Sequence, residues 1–309
     1  IMHERVFEPL EIKRLQNRTR AYLKIQDGCS QFCSYCIIPY ARGPIRSRAP
    51  QDVIAEVKRL AENGFREVVL TGIHVASYGK DRKDITLTEI IQQVHAVEGI
   101  ERIRFSSIEP NVVTEEFAQA MAALPKVCDH FHLSLQSGCD KTLEQMRRRY
   151  DTAQYRRAVA LLRKYLPDVA LTTDIIVGFP GESEQDYQQS KAFAEEIGFS
   201  KIHVFPYSPK KGTPAAERKD QLPNAVKQQR SHDLILASER MTEAFLQAHV
   251  GKEKEVLFER MVSPDVYEGH TTNYMKVHAK STEDLTNQCK MVHMLEVEGE
   301  TAFGEIVKS

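Results

Sequence analysis

Three cysteines constrain this chain more than any other feature. Cys29, Cys33 and Cys36 stand at a C-x3-C-x2-C spacing, just after a short apolar run from Ala21 to Ile25. That run reads as a strand ending at Asp27-Gly28. A loop that wraps three thiolates around one point is what an iron–sulfur cluster needs. Three local ligands would leave one iron of a four-iron cluster open, and an open iron can bind a substrate. Structural zinc usually draws four ligands from two paired half-sites. No second C-x-x-C or H-x3-H follows here. A disulfide would use two thiols and strand the third. The spacing therefore favours iron–sulfur over zinc or cystine.

Strand and helix patterns alternate around that loop. Apolar or β-branched stretches at 22–26, 67–71, 102–106, 131–135, 169–177 and 201–205 read as strands. Amphipathic stretches at 51–63, 87–98, 114–124, 152–165 and 183–197 read as helices. Pro50 opens the first helix and Gly64 closes it. Thr114 and Asp151 sit at N-cap positions, and Ser183 with Asp186 has capping-box spacing. Six strands with intervening helices predict an α/β fold, a parallel sheet curled into a partial (β/α)6 barrel of TIM-like shape. Sites in such folds collect at the C-terminal strand ends. Gly72, Ser107, Glu109, Gln136 and the stretch 174–181 all fall there. A long helical run over 223–249 and five short strands at 254–258, 269–272, 275–279, 290–296 and 302–307 predict a small all-β barrel at the end. The expected division is 1–20 as a linker segment, 21–245 as the α/β domain and 246–309 as the β-barrel domain.

Of the 309 residues, 41% are hydrophobic and 28% charged, an ordinary balance for a globular protein. No apolar run approaches a membrane span and no signal peptide is evident. Six cysteines, three of them clustered, suit a reducing compartment and predict a cytoplasmic protein. The net charge of −1 is unevenly spread. Residues 1–50 hold nine Lys/Arg against four acids, and a second basic cluster comprises Lys141, Arg147, Arg148, Arg149, Arg156 and Arg157. Such patches suit a phosphate-rich partner, and solvated helix faces would give the same pattern. Residues 251–309 carry seven Lys/Arg against eleven acids, a poor electrostatic match to RNA.

The cysteine spacing resembles the radical S-adenosylmethionine (SAM) superfamily. The residues 23–29, 37–43 and 46–48 are similar to its methylthiotransferases, and Leu70-Thr71-Gly72-Ile73-His74-Val75-Ala76-Ser77-Tyr78-Gly79 to their MtaB-type branch. That resemblance implies addition of a methylthio group to N6-threonylcarbamoyladenosine at tRNA position 37, in the anticodon loop. It implies a radical SAM barrel followed by a TRAM domain, an RNA-binding module. It implies a 4Fe-4S cluster on Cys29, Cys33 and Cys36, with SAM on the fourth iron, and an electron donor such as flavodoxin or ferredoxin. In that family a preceding domain carries three more cysteines and a second cluster. No residues here supply them, so the second cluster is expected in a missing N-terminal domain.

By the same resemblance, Tyr35, Gly72, Ser107, Glu109, Gln136, Arg149, Asp174 and Val177 would contact SAM. Plainer roles compete: a packing aromatic for Tyr35, a turn glycine for Gly72, a salt bridge for Glu109. Arg147 and Arg148 are read as facing solvent or RNA, and His74, His130 and His132 as structural. Arg42, Arg46, Arg48, Tyr274 and Lys276 are the expected RNA contacts. The alternatives are a methylthiotransferase for isopentenyladenosine tRNA or a ribosomal protein, and a non-catalytic tRNA-binding module with a structural metal.

Overall fold

The computed structural model describes residues 19–307. All but the last two residues of the expected linker lie outside that range. In chain order the elements are β1 (Arg20–Asp27), α1 (Ile38–Arg42), β2 (Arg46–Ser47), α2 (Pro50–Glu62), β3 (Glu67–Gly72), α3 (Leu87–His95) and β4 (Arg102–Phe105). Then come α4 (Glu115–Ala122), β5 (His130–His132), α5 (Asp140–Gln145), α6 (Thr152–Tyr165), β6 (Ala170–Val177), α7 (Glu184–Ile197) and β7 (Lys201–Pro206).

Strands β1, β3 and β4 pair in parallel, as do β5, β6 and β7. Parallel bridges Ile103↔Val127 and Ile108↔Leu133 join the two sets. The result is the expected half-barrel of six parallel strands, with β2 antiparallel on the β1 edge. Each strand turns one face to the helices. Ala21, Leu23 and Ile25 of β1 and Val68 and Leu70 of β3 enter one core with Val53, Val57 and Leu60 of α2. The opposite face of β1 carries Tyr22 and Lys24 toward the concave side. Helix starts follow local chemistry. Thr86 with Glu89, Asp151 with Gln154 and Ser183 with Asp186 form capping boxes, and the Thr114 side chain accepts from the Phe117 N–H.

Helix α8 (Asn224–Gln247) leads into β8 (Glu253–Ser263), β9 (Val266–Thr271), β10 (Lys276–Lys280), β11 (Cys289–Glu298) and β12 (Thr301–Ile306). These close into a barrel in the order β10-β12-β11-β8-β9, around Val256, Phe258, Val277, Val292 and Met294. No helix of the described residues is long and apolar enough to cross a membrane.

The small barrel docks under the N-terminal ends of the parallel strands. Arg102 donates to the carbonyls of His270 (2.7 Å) and Glu255 (3.1 Å). Arg104 donates to those of Thr271 and Thr272, both at 2.7 Å. Glu67, fully buried, is paired with Arg104 (2.9 Å) and with Arg20, which also reaches Glu259 (2.9 Å). Tyr274 completes the joint. Its ring stacks between His130 (4.9 Å) and His270 (4.8 Å), beneath the guanidiniums of Arg104 (4.7 Å) and Arg20 (5.1 Å). Its backbone is left-handed at φ 68°, a cost that this packing offsets.

Burial disfavours the charge on Glu67, but Arg104 and Arg20 outweigh it and hold the carboxyl below its ordinary 4.5. A depressed folded value stabilises the fold above 4.5 and is lost as pH falls through it. Acid-unfolding curves should therefore show a shallower acid limb for Glu67→Gln than for the parent protein. Arg104→Met, which leaves that carboxylate one cation short, should cost about 3 kcal/mol in urea unfolding.

Candidate metal centre

The loop after β1 is held at both ends and in the middle. Gly28 has φ +69°, and a Cβ there would fall 1.9 Å from the Pro44 carbonyl oxygen, so no other residue fits. The Cys29 N–H donates to Gly43 O (3.1 Å) and the Cys36 N–H to Cys33 O (3.1 Å). Ser34 ties the middle: its N–H donates to Met146 O (3.0 Å), its hydroxyl to Gln145 O (2.7 Å), and its carbonyl accepts from Ala215 (2.8 Å). Cys33 is buried, Cys29 and Cys36 are half-buried, and none of the three is in a disulfide.

The donor set suits an iron–sulfur core. Burial raises the Cys29 thiol, and Cys33 and Cys36 raise it further. Burial likewise raises Cys36, with Cys33 adding to it. Thiols that oppose one another's ionisation become good thiolate ligands once a cationic core lies between them. Among the described residues, no three His, Cys, Asp or Glu side chains are placed to hold a single metal ion. A four-iron cube does not require that, since each thiolate reaches its own iron.

Glu109 gathers the neighbouring loops. Its Oε1 accepts from Arg148 (2.7 Å), and its Oε2 accepts from Gln31 of the cysteine loop (3.2 Å) and lies 3.1 Å from His74 Nε2 beyond β3. Burial opposes its charge, but His74 and Arg148 prevail and keep the carboxyl below its usual range. Arg148 also reaches Cys33 Sγ at 3.3 Å and the Tyr150 hydroxyl at 3.0 Å. Gln26, fully buried at the end of β1, is a second tie. It donates to the carbonyls of Asp27 (2.6 Å) and Gly28 (2.7 Å) and accepts from the His74 N–H (2.7 Å).

The expected SAM residues divide on this frame. Glu109 is central. Tyr35 packs edge-on to Phe179 (6.3 Å) beside Met146 and Tyr207. Gly72 is required because a Cβ would meet the Gln26 side chain at 2.8 Å. Ser107 is exposed at the β4 end. Gln136 is left-handed (φ 68°), bridged to Ile175. Asp174 lies 3.3 Å from His132. The Val177 side chain belongs to the core and its carbonyl accepts from the Tyr207 N–H (2.9 Å). Arg149 is exposed and touches Ser30 O at 3.3 Å. The arginine whose side chain is buried in the site is Arg148, at 8% exposure, which corrects its expected solvent or RNA exposure. His74, expected as a structural histidine, meets Glu109 here, and Gln26 was not anticipated.

The expected RNA contacts divide too. Arg42 is exposed. Arg46 is buried, donating to Arg42 O (2.9 Å) and lying 3.4 Å from Asp27, and Arg48 is buried 3.5 Å from Glu56. Both make internal contacts. Tyr274 packs at the joint between the two barrels yet stays 38% exposed, and with Lys276, His130, His132 and His203 it lines a cavity of about 370 Å³ there.

The fold and this site define a class. Residues 23–194 match the model of the Radical SAM superfamily, and the chain belongs to that superfamily. In particular, it is 41% identical over 300 residues to the threonylcarbamoyladenosine tRNA methylthiotransferase MtaB of Bacillus subtilis (strain 168), covering 96% of this chain and 66% of that one. It is 40% identical over 306 residues to the tRNA-2-methylthio-N(6)-dimethylallyladenosine synthase of Thermoanaerobacter sp. (strain X514), covering 98% and 65%. The chain thus spans just under two thirds of these relatives. Among solved structures, the radical SAM methyltransferase TsrM of Kitasatospora setae superposes with a TM-score of 0.53 at 20% identity, covering 63% of this chain and 38% of that one. Methylornithine synthase (PylB) superposes at 0.50 and 16% identity, covering 73% and 65%.

Two adjacent arginines should separate cleanly in urea unfolding. Arg148→Met breaks a buried pair and should cost about 3 kcal/mol. Arg149→Met should stay within about 0.5 kcal/mol of the parent.

Proposed function

We propose that this chain is the catalytic core and RNA-binding barrel of a tRNA methylthiotransferase. Its target would be N6-threonylcarbamoyladenosine at tRNA position 37, converted to the 2-methylthio derivative. The observation that carries this reading is the pinned loop of three unpaired thiols at the C-terminal end of β1, in a chain 41% identical to an enzyme of that name. Cys29, Cys33 and Cys36 would hold a 4Fe-4S cluster as its thiolate ligands, and SAM would bind beside it. When bound, the cluster supplies the single electron that opens the SAM sulfonium, the chemistry needed to activate an inert C–H bond.

The protein's own residues do the positioning. Gln31, His74 and Arg148 fix Glu109 beside the thiols, at the end of the sheet where SAM would lie. Tyr22 on β1 and Phe205 on β7 are about half exposed and offer rings on which a base can stack. Residues 21–245 would form the catalytic domain and 246–309 an RNA-binding one of TRAM type, acting on the anticodon loop in the cytoplasm. The reducing electron would come from a flavodoxin or ferredoxin. A second cluster would sit in the part of the relatives' length that this chain does not span. The choice of threonylcarbamoyl over dimethylallyl target rests on the stretch from Leu70 to Gly79.

The test is the mass analysis of tRNA nucleosides from cells lacking the protein. The 2-methylthio-N6-threonylcarbamoyladenosine should vanish, return with the native gene and stay absent with Cys33→Ala. Loss of the dimethylallyl derivative instead would reassign the target. Unchanged nucleosides in every strain would overturn the proposed function.

A further inference from the structure

A salt-bridged guanidinium stands against one of the three cysteines. Arg148 Nη1 lies 3.3 Å from Cys33 Sγ, while Nη2 is paired with Glu109 Oε1 at 2.7 Å. The Arg148 side chain is 8% exposed and that of Glu109 9%, so solvent screens neither charge. Both groups are fixed. The Arg148 Nε donates to the Tyr150 hydroxyl at 3.0 Å, and that hydroxyl is anchored on Ser134 O (2.8 Å) and Leu135 O (3.1 Å). The Tyr150 ring lies 4.9 Å from the guanidinium. Glu109 is held from its far side by Gln31 at 3.2 Å and His74 at 3.1 Å. A packing role alone would not aim a buried cation at a thiol.

We propose that the Arg148–Glu109 pair sets the one-electron potential of the cluster held by Cys29, Cys33 and Cys36, acting through the Cys33 sulfur. This rests on the cluster of the proposed function. Reduction adds one electron from a low-potential one-electron donor, with no bond made or broken at Cys33 and no proton leaving Arg148. The added negative charge spreads over iron and sulfur beside the guanidinium. Hydrogen bonds and cations at the ligand sulfur favour the reduced form and raise the potential. Glu109 offsets part of that charge and lowers it. The two residues therefore pull in opposite directions, which sets them apart from a pair that only packs.

The experiment is an EPR-monitored redox titration of the anaerobically reconstituted protein without SAM, after iron and sulfide counting. Arg148→Gln should move the midpoint to more negative potential and Glu109→Gln to more positive. Arg148→Lys, which keeps the charge, should stay closest to the parent. If Arg148→Gln fails to hold a cluster, Glu109→Gln decides: a rise supports the inference, and no change or a fall overturns it. Shifts of the same sign in both variants, or none in either, overturn it. A parent protein that binds a four-iron cluster while its variants leave the midpoint unmoved defeats this inference alone. A parent that binds no cluster defeats the proposed function and this inference together.

Discussion

One buried carboxylate holds the business end of this fold together. Glu109 sits just past β4, yet it meets Gln31 from the loop after β1, His74 from the loop after β3 and Arg148 from the segment after α5. Parallel strands all deliver their loops to one end, but nothing in a parallel sheet makes those loops touch. An ionised carboxylate in a low-dielectric setting does, because each partner lost leaves charge unpaired. The cysteine loop inherits its position from that junction, from Gln26 below it and from the Ser34 bonds to Gln145 and Met146.

The other end of the sheet uses the same device for a different purpose. Glu67 pairs with Arg20 and Arg104 at the strand starts, and the arginines of β4 then bond carbonyls of the closed barrel. The stack of His130, Tyr274 and His270 lies between the two units and lines the cavity there. The barrel is therefore attached through the floor of the half-barrel, leaving the site end to the loops.

Features that are local in sequence were legible. The cysteine spacing, the capping residues Thr114, Asp151 and Ser183, and the alternation of strand and helix all depend on neighbours within a few positions. The five-strand barrel was legible from its short turns, although β8 extends to Ser263, beyond the expected 254–258. Elements α1, β2 and α5 were missed because five, two and six residues carry too little periodicity. Long-range choices were not legible. Nothing in three consecutive arginines says that Arg148 turns inward, while Arg147 takes φ 58° and Arg149 stays outside. His74 reads as a lone histidine until Glu109 arrives from another strand, and Arg46 and Arg48 read as a basic patch until Asp27 and Glu56 are seen against them.

The most direct measurement is anaerobic reconstitution with iron and sulfide, followed by metal counting and a SAM-cleavage assay under a strong reductant. About four irons per chain, and 5′-deoxyadenosine formed only with Cys29, Cys33 and Cys36 all present, is the predicted result. Zinc without acid-labile sulfide, or a complete cluster that leaves SAM intact, would contradict the account.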